Sequence, residues 1–324
     1  MAGPTKKSRK PSKPESGEDS ASEESESGTY HGQQDIQATF EGRNPEGHDF
    51  YGIKQLLNQL FLKAHIDISQ MSDMLIAQGG IGSVLKQSCN DDDDDDDEDD
   101  TDMTEENNVF GITSIINLTS HKETPCVQQF YSLLDEISLK HTDQITQNKI
   151  KSIIGQSTKL GFLINERFVN ISAKISPIML QSLYEEVERM KKKDASYNFE
   201  YYVMISKTCR PVKNPETEEI FSNDEEELFS KAADITFDFS VAKESDTGLS
   251  GNWLTEDKQV VPYRRILIFK AEKFKDIIEQ VSAMPWDIRR PAATQWARHI
   301  PGGVLNKLWF FSCYTVARFL AVGM

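Results

Sequence analysis

Residues 160–190 read LGFLINERFVNISAKISPIMLQSLYEEVERM, and this stretch decides the fold. Its first five residues, 160–164, form an apolar run of strand length, and residues 165–176 form a polar turn and link. From Pro177 onward the apolar residues have helical spacing, with Ser176 as the expected N-cap. The stripe that this helix should bury consists of Leu180, Leu183, Tyr184 and Val187. A strand followed by a covering helix requires a sheet for the helix to lie on.

Apolar runs elsewhere in the chain supply the rest of that sheet. Strands are predicted at residues 36–40, 81–87, 109–118, 199–207, 235–241 and 263–269. Helices are predicted between them, and their expected N-caps are Asp49, Ser69, Thr124 and Asp143. An acidic helix or turn at the surface is expected for residues 224–231, and an amphipathic helix should end near Val281. The pattern predicts a mixed α/β (α+β) fold, a single largely antiparallel sheet flanked by helices.

The charge of the chain limits the classes of partner. Its 324 residues carry 52 Asp and Glu against 36 Lys and Arg, a formal net charge of −16. Direct binding of nucleic acid is disfavoured, because contact with phosphates requires a basic surface. Basic proteins are the expected partners.

The N-terminal tail, residues 1–34, has almost no apolar side chains and is predicted to be disordered. A compact basic cluster within it predicts a nuclear localisation signal, although a merely solvated basic end is the alternative; the cluster consists of Lys6, Lys7, Arg9 and Lys10. Four serines stand among acidic residues, where acid-directed kinases could phosphorylate them: Ser16, Ser20, Ser22 and Ser25. We therefore expect a nuclear protein, with a cytoplasmic pool allowed.

An acidic insertion, residues 89–107, separates two predicted strands. A polyanion anchored on a folded base attracts basic surfaces at long range and can shield a basic protein until delivery. The alternative is that it only keeps the protein soluble. The consecutive carboxylates lack the alternating oxygens and glycine of a calcium loop. The partner-binding residues predicted here are Asp91, Asp92, Asp93, Asp94, Asp95, Asp96, Asp97, Glu98, Asp99 and Asp100.

The known sequence motifs of catalytic, cofactor-binding and metal sites identify no such residues in this chain. The glycine-rich turn Gly79 to Ser83 could present backbone N–H groups to a phosphate, but it precedes a strand and lacks a following Gly-Lys-Ser/Thr. The favoured interpretation of this turn is the end of a helix. The histidines are isolated, and the four cysteines form no C-x-x-C pair, which argues against a zinc site and a disulfide scaffold.

Several motifs nevertheless resemble the BCCIP/BCP family. They are FYGIKQLL at residues 50–57, IGSVLKQ at 81–87, GFLINERFVNI at 161–171, ISK at 205–207 and ESDT at 244–247. The resemblance covers residues 35–281. It implies a nuclear adaptor or chaperone that binds a breast-cancer-associated (BRCA2-like) recombination protein, a cyclin-dependent-kinase inhibitor and a large-subunit ribosomal protein. It also implies a fold similar to N-acetyltransferases of the GNAT class, without that activity and without a cofactor.

The chain departs from the family after Met284. Residues 285–324 contain three of the four tryptophans and more basic than acidic residues. An alternative terminal exon or translation into an intron would produce such a change in composition. Their apolar end, residues 308–324, raises the alternative of a membrane anchor, but it is short and contains Arg318. The expected domains are therefore the tail 1–34, an α/β domain at 35–284 and a divergent tail at 285–324.

The sequence thus predicts a non-enzymatic nuclear adaptor and chaperone for basic ribosomal, cell-cycle and DNA-repair proteins, which supports assembly of the large ribosomal subunit. The alternatives are a GNAT-type acyltransferase that uses acetyl-coenzyme A at the Gly79 to Ser83 turn, and a membrane-attached form. A candidate contact surface is the polar link of the opening stretch, with Asn165, Glu166 and Arg167; local pairing of these residues in an exposed turn is the simpler interpretation.

Overall fold

In the part of the chain that the structure describes, eight strands form one sheet in the order β1-β2-β3-β4-β5-β8-β7, with β6 paired to β5. The structure is a computed structural model, and it describes residues 39–88, 108–155, 158–169, 171–212, 219–244 and 260–286. The strands are β1 (Phe40–Arg43), β2 (Ser83–Gln87), β3 (Gly111–Asn117), β4 (Leu160–Arg167), β5 (Tyr201–Pro211), β6 (Ile220–Phe221), β7 (Ile235–Ser240) and β8 (Val260–Lys270). All pairs are antiparallel except β4 with β5, which confirms the predicted fold class.

Helices cover both faces of the sheet. The helices are α1 (Phe50–Phe61), α2 (Ile68–Ala77), α3 (Pro125–His141), α4 (Gln144–Gly155), α5 (Ser176–Lys193), α6 (Glu226–Ala232) and α7 (Phe274–Ser282). The first four contribute to one hydrophobic cluster, and α5, α6 and α7 contribute to another. The sheet therefore lies between two helical layers, as alternating side chains of its strands require.

Strand β4 is central, as the opening stretch predicts. Its antiparallel pairing with β3 extends as far as Arg167, and it pairs parallel with β5. All eight of its residues are buried. Alternate side chains enter the two clusters, since Phe162 packs in the first and Leu163 in the second. Helix α5 covers the second face through Leu180, Leu183 and Val187.

Two predicted N-cap positions, Ser69 and Ser176, are wrong, and Asp49 occupies its predicted N-cap position without a side-chain capping bond. Helix α2 begins two residues earlier than expected, and Asp67, rather than Ser69, accepts the hydrogen bond from the Gln70 amide at 3.0 Å. Asp49 precedes α1, but its carboxylate is buried and binds Lys86 at 2.9 Å instead of capping the helix. The Ser176 hydroxyl also makes no cap hydrogen bond. In the last two cases a buried charged partner competes successfully for the side chain.

The strands that precede and follow the acidic insertion in the sequence, β2 and β3, are neighbours in the sheet. β2 and β3 pair antiparallel from Ser83 with Thr113, so the chain leaves and returns at one end of the sheet. The amide of Ser88 donates to the carbonyl of Thr39 at 2.8 Å, which places the N-terminal approach beside the same end. Residues 89–107 themselves lie outside the described residues.

Candidate functional site

Strands β4 and β5 separate into a fork that the chain itself fills. They pair only from Leu160 with Tyr201 to Leu163 with Met204. Beyond that point β4 follows β3 and β5 follows β8. Residues 219–226, which we call the fork segment, enter the gap. Two of its residues donate hydrogen bonds to backbone carbonyls that β4 and β5 no longer use to pair with each other. The Ser222 amide donates to Lys207 O, and Asn223 Nδ2 donates to Asn165 O, both at 2.9 Å.

The candidate contact surface of the opening stretch belongs to this fork. Asn165, Glu166 and Arg167 continue β4 and are exposed by only 5%, 2% and 7%. The prediction of an exposed polar link is therefore wrong for all three, and so is local pairing in a turn. The fork segment supplies polar partners for Asn165 and Arg167 from 58 to 61 positions away in the sequence. Glu166 pairs with Lys207 of β5, so burial leaves the charges paired.

Arg167 and Glu225 form the centre of the network. The guanidinium makes two parallel hydrogen bonds to the carboxylate, one of them from Nη2 to Oε2 at 2.9 Å. Ser176 Oγ and Asn165 Nδ2 each donate to Glu225 Oε1 at 2.8 Å. Burial alone would raise the pKa of Glu225, but the charge of Arg167 and these hydrogen bonds hold the pKa below its ordinary value. Glu225 is therefore a buried carboxylate, fully bonded and ionised.

Glu226 has the opposite character. Its Oε1 accepts from Asn223 Nδ2 at 2.7 Å, whereas its buried Oε2 has no hydrogen-bond partner among the described residues. Burial, together with the charges of Glu166 and Glu225, raises the pKa of Glu226 to about 8. Glu226 is therefore largely protonated at neutral pH, while Glu166 forms an ion pair with Lys207.

Arg264 connects the fork to α1. Its side chain is 7% exposed, and it donates from Nε to Leu60 O at 2.8 Å and from Nη2 to Gln59 O at 2.6 Å. These carbonyls end a helix and carry its negative partial charge, which suits a guanidinium. The buried charges of the sheet therefore fix the last turn of α1.

The fork has little room for a ligand. The cavity beside Glu166, Arg167 and Ser176 has a volume of about 10 Å³, roughly that of one water molecule. Within the described ranges no group of three or more His, Cys, Asp or Glu side chains could hold a metal ion. The arrangement joins two strands and a helix, and it offers no space for a substrate.

The glycine-rich turn after α2 is also occupied. Gly82 donates its amide to Glu186 Oε2 of α5 at 2.7 Å, and Arg189 donates to Gly80 O at 3.2 Å. The backbone angle φ is +90° at Gly80 and at Gly82, so glycine is needed there for the turn. An incoming phosphate would meet the Glu186 carboxylate, and the turn therefore joins β2 to α5.

Sequence reasoning missed the fork segment. Residues 224–231 were expected to lie at the surface, but Glu225 and Glu226 are fully buried. Asn223 and Lys207 were also missed as site residues. One signal was available: Lys207 ends the predicted strand 199–207, whose middle is apolar, and a charge in such an inner strand requires a buried partner.

The remaining predicted site residues lie outside the described residues. These are the basic cluster Lys6, Lys7, Arg9 and Lys10, the serines Ser16, Ser20, Ser22 and Ser25, and the acidic residues 91–100. The apolar tail 308–324 also lies there. In the parts that the structure does describe, no helix is long and apolar enough to cross a membrane.

Replacing Arg167 with methionine should lower the free energy of unfolding by about 3–5 kcal/mol, because Glu225 would remain buried and charged without its partner. Adding Glu225→Gln to Arg167→Met should restore part of the loss by removing that charge. Urea denaturation measures both changes. As a control, Lys140→Met breaks the exposed pair with Glu136 and should leave the free energy of unfolding almost unchanged, because solvent screens that pair. Equal losses in the single and double variants would contradict a charge-based cause.

Glu226→Gln should flatten the pH dependence of stability. Between its ordinary pKa of 4.5 and about 8, the folded chain retains a proton that the unfolded chain releases, so stability falls as the pH rises through this interval. The neutral amide has no proton to lose, and we expect a relative gain of about 1–3 kcal/mol at the alkaline end. Urea denaturation at a series of pH values tests this. Glu136→Gln, at an exposed carboxylate, is the control; parallel curves for Glu226→Gln and the unaltered chain would refute the assignment.

Comparisons with known proteins agree with the motifs. A model of the BCCIP family matches residues 35–247. "Protein BCCIP homolog" of Drosophila melanogaster is 40% identical over 255 residues, which cover 78% of this chain and 86% of that protein. "BRCA2 and CDKN1A-interacting protein" of Homo sapiens is 32% identical over 262 residues, 76% of this chain and 81% of that protein.

A solved structure shares the fold. The crystal structure of BCP1 from Saccharomyces cerevisiae superposes with a TM-score of 0.50 at 16% identity, covering 86% of this chain and 98% of that one. The same mixed sheet flanked by helices is therefore found in an experimental structure. Because the family match and the 40% identical relative both extend over most of the chain, this protein belongs to the BCCIP family.

Proposed function

We propose that this protein is a non-enzymatic nuclear adaptor and chaperone that binds basic ribosomal and cell-cycle proteins. The observation that carries the proposal is the run of consecutive carboxylates at residues 91–100, which falls in the sequence between the paired strands β2 and β3. Family membership supports it, since human and mouse relatives are called BRCA2 and CDKN1A-interacting proteins. By analogy we propose partners of those kinds for this chain, together with a large-subunit ribosomal protein.

The rigidity of the insertion's base supports the mechanism. β3 pairs along its whole length with β4, whose end is held by Arg167 and Glu225. Charges projecting from a fixed base keep their local density and create a strong negative potential, which raises encounter rates with basic proteins. Such attraction depends strongly on ionic strength.

Two observations weigh against the acyltransferase alternative. The Gly79 to Ser83 turn already uses an amide to bind Glu186, and the fork between the parallel strands is filled by residues 219–226. At the turn the Glu186 carboxylate would repel the phosphates of a coenzyme, and the filled fork leaves them no room. Calorimetry with acetyl-coenzyme A remains the direct measurement, and saturable binding would favour an enzyme.

Replacing residues 91–100 with an equal-length Gly/Ser sequence should slow association with a basic large-subunit ribosomal protein by about tenfold or more at low salt. The salt dependence of the association rate should also flatten. Stopped-flow fluorescence measures both quantities.

The matched control removes acidic charge elsewhere. Neutralising Glu18, Asp19, Glu23 and Glu24 makes the net charge less negative while leaving the insertion intact. Neutralising only Asp91, Asp92, Asp93 and Asp94 removes the same number of charges and should slow association more. If both variants slow association equally, net charge alone acts and the insertion has no special role. If neither does, electrostatic capture is refuted.

Nuclear location is proposed from the basic cluster. Replacing Lys6, Lys7, Arg9 and Lys10 with alanine should shift a fluorescent fusion of the full chain from the nucleus to the cytoplasm, because import receptors read the local positive charge. Replacing the nearby Lys13 alone is the control and should leave the distribution unchanged. Nuclear accumulation of the four-alanine variant would assign import to another segment or to a partner.

A further inference from the structure

The fork segment is joined to the sheet by a short strand and a few polar groups. Its strand β6 has two residues, which pair with Thr208 and Cys209 of β5. The longer ladders, β3 with β4 and β5 with β8, do not pass through it. Helix α6 begins at the last residue of the segment and is anchored in the second hydrophobic cluster by the fully buried Phe229. The segment can therefore separate from the sheet while those ladders and Phe229 stay in place.

Three carboxyl groups meet on the inner side of the segment. Glu225 and Glu226 belong to the segment and Glu166 belongs to β4, and each is exposed by 2% or less. Three cations, one from each neighbouring strand, interact electrostatically with these carboxyl groups: Arg167 of β4, Lys207 of β5 and Arg264 of β8. The protonation of Glu226 depends on where these cations direct their hydrogen bonds.

In the described structure the three cations bind groups other than Glu226. Arg167 donates to Glu225 and to Ser176, and Lys207 pairs with Glu166. The hydrogen bonds of Arg264 go to backbone carbonyls, two of them at the end of α1.

The Glu226 carboxyl group therefore depends on neutral donors alone. Its Oε1 accepts from the side-chain amides of Asn223 and Asn165 at 2.7 and 3.4 Å, and its buried Oε2 has no hydrogen-bond partner among the described residues. A deprotonated Glu226 would be a buried charge beside two other carboxylates, without a cation of its own. The raised pKa of Glu226, about 8, agrees with this geometry.

We propose that Glu226 is a proton-controlled latch, whose protonated form keeps the fork segment between β4 and β5 and whose deprotonated form favours its release. The inference goes beyond the proposed function and does not depend on it. Release would admit water to the fork and would separate Arg167 and Asn165 O from their partners. The latch thus links proton concentration to how firmly the end of β4, and through it β3, is held.

The pH dependence follows from proton linkage. In the opened segment Glu226 meets water and regains its ordinary pKa of 4.5, so opening at a pH between 4.5 and about 8 releases one proton. Opening is therefore favoured as the pH rises through this interval and becomes independent of pH above it. Arg167 and Glu225 stay charged in the interval's upper part, because their pairing holds the pKa of Glu225 below its ordinary value and that of Arg167 above it.

Native-state hydrogen exchange of the full chain tests the latch. The reporters are backbone amides that are hydrogen-bonded in the segment and the first turn of α6: Ser222 N to Lys207 O, Glu226 N to Asn223 O, and Leu228 N to Glu225 O. Each observed rate is divided by the intrinsic rate at the same pH. We expect this ratio to rise about tenfold per pH unit between about pH 5.5 and about pH 7.5 and to level off above about pH 8. Low concentrations of urea should change it little, because local opening exposes little surface.

Three variants identify the group that releases the proton. Glu226→Gln has no proton to lose, and the dependence of the ratio on pH should disappear. Glu227→Gln changes the next carboxyl group, which pairs with Lys231 of the same helix; it is the matched control and should keep the slope. Asn223→Ala removes hydrogen bonds but no titrating group, so it should raise the ratio at every pH and keep the slope.

Three results would overturn the latch. One is a pH-independent ratio in the unaltered chain, and another is a slope that persists in Glu226→Gln, since the proton would then come from another group. The third is that the segment and the β3–β4 ladder exchange at the same rate with the same urea dependence, because the segment would then open only when the whole domain unfolds. The proposed function survives all three results, since it rests on residues 91–100 and not on the fork.

Discussion

The ion pair between Arg167 and Glu225 holds together two strands that no longer pair with each other. β4 and β5 share four residue pairs and then separate, which leaves backbone groups and three charged side chains of these strands, Glu166, Arg167 and Lys207, inside the sheet. Burying such charges is tolerated only when each finds a partner with good geometry. The fork segment meets this requirement on both sides, with Glu225 against Arg167 and with Asn223 bridging Asn165 O and Glu226.

Other parts of the fold depend on this arrangement. β4 fixes β3, and β3 forms one side of the acidic insertion's base. On the other face of the sheet, Arg264 fixes the end of α1. A fork filled with the chain's own side chains therefore gives rigid support to the insertion's base and to α1, and neither needs the sheet to bind a small molecule. This division suits a protein that acts by binding other proteins.

The two buried carboxyl groups of the fork segment show how position sets protonation. Glu225 and Glu226 are neighbours in the sequence and are equally buried. Glu225 faces a guanidinium and two neutral donors, which favour its charged form, while Glu226 faces other carboxylates and burial raises its pKa. The resulting proton on Glu226 reduces the repulsion among Glu166, Glu225 and Glu226, which lie close together.

Local pattern determined much of this protein by itself. The apolar run at residues 160–164 and the helical stripe after Pro177 predicted β4 and α5, because side-chain period depends only on backbone geometry. The motif residues identified the family, and the run at residues 91–100 indicated an acidic insertion between strands. Only the tertiary structure placed Asn165, Glu166 and Arg167 inside the sheet, since their partners come from residues 207–226. Polar groups that pair over a long sequence distance produce no periodic pattern. The polarity of these three residues therefore predicted an exposed position, although they are buried in the folded protein.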